Sequence, residues 1–497
     1  MNVLYINFLV FLLIILLAFY ILREEKKWIC LLVVSIFFVA TYNPLGIIFL
    51  VFSAWSIWKA ADRIQKNYIS IQNQKDCKKA NKAILRASII FNIAILFALK
   101  YVGGYIGSTY STENPFKIFI PIGLSYYTLQ AIGYVMDVYW RKIPAEQSFF
   151  KVLLFLSYFP QMIQGPINRY GTFSNELYNK SHLFQIHNIK FGVQKMLWGY
   201  FKVLIIGMGM QKYVNNAFYG DDTAYGFAAF LGLVAFGFQL YGNFSGGIDI
   251  VQGVSQCFDI TLPENFRQPF FSESIGDFWR RWHISLGSWM KDYVFFPLSM
   301  SSFVKGIKKK LKNHVCKKTA TRITLAITNI VVFLIVGIWH GTGTNYALWG
   351  LYNGIILAFS ELMIDYYKHF KTALHINDQS KSWKYFSIFR TFLLVTIGWC
   401  TDCAITAGES MRILQNMFLI GNTNIKILDI SLQGILMNTI ALGLLLSVDC
   451  AHEKGISIRS KIQNLPILVQ MLIWAAFIQL LVLFYRPYSG GFMYANF

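Results

Sequence analysis

The stretch VVFLIVGIWHGTGTNYALWGLYNG, Val331 to Gly354, joins two apolar runs through a short glycine-containing connection that carries one ionisable side chain, His340. The first run closes on Trp339–His340–Gly341, and the second opens with Trp349–Gly350. A membrane span takes about 20 predominantly apolar residues, and runs of that kind recur along the chain. They fall near 2–22, 28–42, 44–61, 84–102, 118–138, 149–165, 190–212, 224–241, 321–338, 345–366, 385–403, 430–449 and 466–485. The segments 28–42 and 149–165 are short enough to tilt or re-enter. The pattern predicts about 11 to 13 transmembrane helices. It shows no period-two alternation of the kind a β-barrel needs, so the chain reads as an all-α polytopic membrane protein.

Composition excludes the main alternatives. Of 497 residues, 55% are hydrophobic, 17% aromatic and only 14% charged, against about 25% charged in soluble domains. The net charge of +21 suggests nucleic acid only until its distribution is considered. Lys and Arg stand in short bursts between apolar segments, at Arg23–Lys27, Arg63–Arg86, Arg141–Lys142, Lys305–Arg322, Lys368–Lys384 and Lys454–Lys461. That is the layout of cytoplasmic loops, and it predicts no nucleic-acid partner. The bursts place both termini outside, in contact with the membrane lipids that surround the spans. MNVLYINFLVFLLIILLAFYIL lacks a basic n-region and a small-residue cleavage site, and reads as a retained span. No polar stretch is long enough to fold alone, so 1–497 is expected to be one integral-membrane domain. Its catalytic core is placed at about 118–366, and its C-terminal spans and tail at about 385–497. Seven cysteines show no disulfide spacing, and Cys400 and Cys403 read as packing thiols.

The middle third departs from the pattern. GNFSGGIDIVQG, Gly242–Gly253, is rich in glycine and polar residues, and PENFRQPFF, Pro263–Phe271, cannot be continuous helix. Irregular backbone at membrane depth lines a cavity or is buried in protein, so a reaction chamber is expected here. Beside it lies DFWRRWHISLGSW, Asp277–Trp289. On one helix, Trp279, Trp282, His283, Leu286, Met290 and Tyr293 share a face, while Arg280 and Lys291 point elsewhere and Asp277 reaches Arg281 at i+4. Neutral imidazole suits buried proton transfer better than a carboxylate, which singles out His283 and His340. The competing reading of each is a packing histidine beneath an interfacial tryptophan. Asn329 stands eleven residues before His340, on the same helix face. Gly337 and Gly341 allow close approach of another chain segment or an extended ligand. No metal site is expected, because neither H-E-x-x-H nor clustered Cys/His spacing occurs. Walker A and G-x-S-x-G are also missing, and Ser245 reads as a turn residue.

DFWRRWHISLGSWMKDYVFFPL (Asp277–Leu298) followed by GIWHG (Gly337–Gly341) resembles the membrane-bound O-acyltransferase (MBOAT) superfamily, in particular the bacterial branch that O-acetylates alginate and other exported polysaccharides. FIPIGLSYYTLQAIGYVMDVYWRK (Phe119–Lys142), FPQMIQGPINR (Phe159–Arg169), FSGGIDI (Phe244–Ile250) and PENFRQPF (Pro263–Phe270) are similar to further blocks of that family in the same order. Asn243 stands where alginate-type members usually carry Asp. The resemblance implies a ring of spans, with re-entrant or interfacial helices, around a central tunnel. It maps the family's paired histidines onto His283 and His340.

The implied activity is transfer of an acetyl group from cytosolic acetyl-CoA, a substrate and not a bound cofactor, across a bacterial cytoplasmic membrane. The implied partners are an extracytoplasmic, membrane-anchored transferase- or esterase-like protein and, as final acceptor, an exported or cell-envelope polysaccharide. In this reading His340 is the general base and His283 supports donor positioning or the same transfer step. Asn329 or a backbone N–H supports the oxyanion. Arg280, Arg281 and Lys291 meet donor phosphates, and Trp279 and Trp282 line the entry. The tail YRPYSGGFMYANF, Tyr485–Phe497, resembles the aromatic terminus of the alginate-type branch, and Tyr494 is the candidate acyl relay. Two alternatives stay open: D-alanyl transfer to teichoic acid from a carrier protein, and a glycan transporter or flippase with irregular mid-membrane segments.

Overall fold

The structure is a computed structural model that describes residues 4, 6–103, 106, 120–220, 222–419 and 423–485. Its secondary structure there is helical apart from one isolated β-bridge. Among the described residues, six helices are long and apolar enough to cross a membrane: Gln74–Val102, Phe227–Cys257, Lys317–His340, Lys381–Cys403, Leu432–Glu453 and Ile467–Phe484. Thr344–Leu362 and Ile364–Ala373, bent by 58° at their junction, form a seventh if counted as one span. Ile467–Phe484 buries almost none of its apolar surface, with Leu468, Leu472 and Val482 all about 70% exposed. A helix that is apolar all round and exposed in water would be unstable, so lipid is its solvent. The chain is a multi-pass, all-α membrane protein.

Among the described residues, fewer helices than 11 to 13 combine the length and the apolarity of a span, for physical reasons. Ile6–Ile21 is apolar but short. Glu24–Tyr42 and Gly46–Ser70 are long enough, yet the first opens on Glu24–Glu25–Lys26–Lys27 and the second carries Lys59, Asp62, Arg63 and Lys66. The 149–165 run breaks at Tyr158 into Phe149–Ser157 and Phe159–Gln164, with Pro160 in the first turn of the second piece. The 190–212 run is interrupted by a π-helical turn, Lys202–Gly207, between Ile186–Phe201 and Met208–Phe218.

The chain divides into two compact units, Met1–Gly199 with Gly247–Pro263, and Tyr200–Gly246 with Glu264–Ser489. In the first, Gly46–Ser70 packs against Gln74–Leu96, Leu124–Tyr139 and Phe149–Ser157. Several buried polar groups there find partners, as a low-dielectric interior favours. The buried Asn81 accepts from Asn67 at 2.8 Å and donates to the Ile64 carbonyl. The buried Lys27 ammonium donates to Glu24 and to the His182 carbonyl, each at 2.5 Å. The second unit is built around the hairpin of Lys317–His340 and Thr344–Leu362. A Cβ on Gly337 would strike the Tyr346 carbonyl and the Gly350 backbone, and one on Gly350 would strike Phe333. The close approach anticipated at Gly337 is therefore made by the partner helix of the hairpin. All seven cysteines are unpaired, Cys400 and Cys403 being buried.

The glycine-rich 242–253 stretch is continuous helix, part of Phe227–Cys257, which corrects the expectation of irregular backbone there. Its glycines serve packing: a Cβ on Gly242 would meet the Lys202 carbonyl, and one on Gly253 the Gly192 carbonyl. Ser245 lies inside this helix and not in a turn. Its hydroxyl donates to the Tyr241 carbonyl and accepts from the buried Lys202 ammonium at 3.0 Å. The irregular segment begins after Cys257 and runs to Ser274, broken by a single 3₁₀ turn, Pro269–Phe271.

Candidate active site around two histidines

The expected single helix through Asp277–Trp289 is two helices, Ile275–Arg281 and Ile284–Met290, followed by a π turn, Lys291–Phe295. The break falls on His283, whose φ of +48° lies in the left-handed region. Such a conformation costs a non-glycine residue on the order of 1–3 kcal/mol, so its surroundings must hold it. The segment after Pro263 does so. Phe266 bridges antiparallel to Trp282, the Arg267 N–H donates to the Arg281 carbonyl, and the Ile284 N–H donates to the Asn265 carbonyl, each bond at 2.9 Å. The Asn265 side-chain oxygen accepts from the Ser285 N–H at 2.9 Å and the Ser285 hydroxyl at 2.7 Å, and lies 3.2 Å from His283 Nδ1. At about 0.5–1.5 kcal/mol each, these bonds offset the strain.

His283 is buried, its ring edge-on to Phe244 at 4.8 Å. Its Nε2 has no protein hydrogen-bond partner. Burial, and after it the neighbouring His340, hold this imidazole, which lies outside the spanning helices, well below its ordinary value of 6.5. It is neutral at neutral pH. His340 closes the helix Lys317–His340 and packs between Trp339 at 5.0 Å and Trp349 at 5.2 Å. The two candidate histidines are thus brought near enough that charge on one disfavours charge on the other.

The other expected site residues separate. Trp279 joins the histidine neighbourhood, 5.4 Å from Trp349 and 5.2 Å from Phe333. Trp282 does not line an entry, being packed between Phe266 and Phe278 and 5% exposed. Arg281 is tied down: its guanidinium meets Glu453 at 2.6 and 3.2 Å and Asp277 at 2.9 Å, so it has a structural duty and no obvious reach toward a donor. Arg280 is 70% exposed, 3.5 Å from Asp277. Lys291 is exposed, its ammonium over the Phe296 ring. Asn329 sits in the same unbroken helix as His340. Eleven residues at about 1.5 Å rise put it roughly 16 Å away along the axis, too far to stabilise an oxyanion at a carbonyl that His340 touches. Tyr494 lies outside the described residues.

Sequence reasoning missed four contributors. Asn265 stood in a quoted motif without a role, although an amide between two prolines, Pro263 and Pro269, was a signal. Asp402, an acid at the end of an apolar run, accepts a hydrogen bond from Trp349, the ring that packs on His340. Glu453, next to the basic burst Lys454–Lys461, ends the helix Leu432–Glu453 and clamps Arg281. Asn345 completes the frame by donating to the Thr401 and Ala404 carbonyls, which ties the start of Thr344–Leu362 to the end of Lys381–Cys403.

With this geometry in view, the comparisons with known proteins decide the family. The profile of the membrane-bound O-acyltransferase family, MBOAT, matches residues 141–389, half of the chain and both histidine motifs. The chain belongs to the membrane-bound O-acyltransferase family. It is 30% identical over 342 residues to a probable alginate O-acetylase of Pseudomonas syringae pv. tomato, covering 67% of this chain and 59% of that protein. A peptidoglycan O-acetyltransferase of Helicobacter pylori is 28% identical over 421 residues, 79% of this chain and 73% of that protein. A teichoic acid D-alanyltransferase of Bacillus subtilis is 28% identical over 305 residues, 59% and 72% respectively. The chain spans between 56% and 66% of the length of the alginate O-acetylases it matches.

Proposed function

We propose that this membrane-bound O-acyltransferase family member moves an acetyl group from acetyl-CoA toward an exported or cell-envelope polysaccharide in a bacterial cytoplasmic membrane, with both termini extracytoplasmic. The observation that carries the reading is the pair His283, buried, and His340, half-buried, neighbours in one aromatic site and each from a separate family motif. In the transfer, a hydroxyl oxygen bonds to the thioester carbonyl carbon while one imidazole takes its proton. Breaking the carbon–sulfur bond releases a thiolate that recovers the proton. General-base assistance of this kind is worth about 10²- to 10⁴-fold. Sequence reasoning gives the base role to His340. Arg280 and Lys291, both exposed beside this site, suit the phosphates of CoA. Trp279, packed against Trp349, suits the apolar part of the donor. Tyr494 is the proposed acyl carrier to an extracytoplasmic partner: a phenol has a pKa near 10 and leaves more readily than an alkoxide.

The test uses the full chain in liposomes with acetyl-CoA labelled in the acetyl group. The reading requires labelled acetyl to reach protein or acceptor, and to stop doing so in His340→Ala. The similarity to D-alanyltransferases supports a second reading, transfer of D-alanine from a carrier protein. Label retained on acetyl-CoA, together with transfer from a D-alanyl carrier protein, decides for that one. A glycan transporter is disfavoured by family membership, and glycan flux without any acyl transfer would restore it.

A further inference from the structure

We propose that Asp402 is a positioning residue for the transfer: its carboxylate holds the indole of Trp349, and through that ring sets the orientation of the His340 imidazole. This rests on the acyl-transfer reading above, with His340 as the base, and deepens it by naming a residue that acts only through another. Asp402 is the one acidic residue of the spanning helix Lys381–Cys403. An ionisable side chain in a span is costly, and such residues mark function more often than packing. Its partner here is an aromatic ring. Trp349 is buried, 5% exposed, and its Nε1–H can only donate. A buried indole N–H calls for an acceptor, and the Asp402 carboxylate is that acceptor.

Neighbouring contacts fix this one in place. Asn345 and Trp349 stand at i and i+4 of the helix Thr344–Leu362, so they share a face. The Asn345 amide donates to the Thr401 carbonyl at 3.0 Å and to the Ala404 carbonyl at 2.9 Å, on either side of Asp402. Further along the same helix, the Tyr352 hydroxyl donates to the Leu394 carbonyl at 2.7 Å. The face that presents Trp349 to Asp402 is therefore tied to Lys381–Cys403 before and after the contact. The Trp349 ring lies 5.2 Å from the His340 ring at 70° to it, and Trp339 adds a second ring at 5.0 Å and 68°. Packed interiors transmit small displacements, so a shift of the indole is passed to the imidazole. Misplacing a catalytic group by about 1 Å can cost on the order of 10²-fold in rate. Asp402 removes that freedom by fixing the N–H edge of Trp349.

The experiment pairs rates with spectra on the full chain in nanodiscs, with acetyl-CoA labelled in the acetyl group as donor. Asp402→Leu removes the acceptor and should lower kcat by about 10²-fold, with donor KM changing less than kcat. Asp402→Asn keeps a carbonyl oxygen for the indole N–H and should recover most of that rate. Trp349→Phe keeps a ring beside His340 but lacks the donor, and should lose rate as well. The double variant Asp402→Leu/Trp349→Phe should be no slower than Trp349→Phe, because residues that act as one unit are not additive. With ¹⁵N-labelled tryptophan and histidine, the indole signal that disappears in Trp349→Phe should move in Asp402→Leu. The His340 ring signals, assigned against His340→Gln, should move with it. A wild-type kcat in Asp402→Leu, losses that multiply in the double variant, Asp402→Asn as slow as Asp402→Leu, or His340 signals unmoved by Asp402→Leu overturns the proposal. If Asp402→Leu does not fold, Asp402→Ala, which also lacks an acceptor, carries the same tests. If wild type transfers no acyl group from either donor, the functional reading fails, while the indole and imidazole signals still decide whether Asp402 sets His340 through Trp349.

Discussion

Arg281 offers a sharp separation of structure from donor binding. Sequence reasoning grouped it with Arg280 and Lys291 as a phosphate ligand, but its guanidinium is 15% exposed and meets Glu453 at 2.6 Å and Asp277 at 2.9 Å. Arg281→Gln leaves two acids at 20% and 25% exposure without their counter-charge. Breaking a buried pair typically costs about 3–5 kcal/mol, and partial water access to these acids favours the lower end. For a unit of roughly 270 residues, an unfolding entropy near 2.1 cal/mol/K per residue converts ~3 kcal/mol into a loss of about 5 °C in Tm. Intrinsic tryptophan fluorescence during heating in detergent reads that loss. Donor KM, measured in parallel, should change little. The double variant Arg280→Gln/Lys291→Gln should do the reverse, holding Tm within about a degree because exposed charges contribute little to stability and raising donor KM. A cycle that adds Glu453→Gln to Arg281→Gln should show a coupling of about 1–3 kcal/mol. Arg281→Gln with a wild-type Tm and a KM raised as far as in the double variant would refute this division of roles.

Other outcomes follow from the same geometry. His283→Ala and His340→Ala should each insert and fold, as judged by protease protection and gel filtration, yet lose about 10²- to 10⁴-fold in transfer rate; near-normal transfer by either removes that residue from the mechanism. In wild type the acid limb of the rate should lie below pH 6.5. An imidazole whose pKa is held under its ordinary value stays neutral as pH falls through 6.5 and takes up charge only lower down, so, if transfer needs His283 neutral, a limb centred at pH 7 or above in a rate profile contradicts a neutral resting His283. Gly337→Leu, which would drive a side chain into the Tyr346 carbonyl and the Gly350 backbone, should destabilise the hairpin by about 1–3 kcal/mol, seen as a lower Tm. Tyr494→Phe keeps an aromatic ring and deletes the oxygen, so delivery of acetyl to glycan should cease while anchoring persists; delivery at the wild-type rate reduces the tail to an anchor.

Much of the fold was legible because lipid imposes one strong rule: apolar runs of span length become helices. The errors have a common physical origin. Gly242, Gly246, Gly247 and Gly253 were read as breaks, as they would be in water, where glycine in a helix exposes backbone and loses entropy. In an apolar interior the helix is held by its own hydrogen bonds, and small residues mark where another backbone approaches. Gly242 does this against Lys202, and Gly253 against Gly192. The real break falls at His283, a position with neither glycine nor proline, because its cause is not local. Asn265, 18 residues earlier in the chain, holds the imidazole and the first turn of the next helix. Periodicity therefore drew a single aromatic face through 279–293 and placed Trp282 and His283 side by side in it, whereas the turn at His283 sends Trp282 into a packed cluster and leaves the imidazole beside His340. The same distinction separates Arg281 from Arg280. They are adjacent in sequence and equal in charge, and only the distant Glu453 makes one a clamp while the other stays exposed. Residue type and spacing locate such a site; the role of each side chain within it is set by partners that spacing does not reveal.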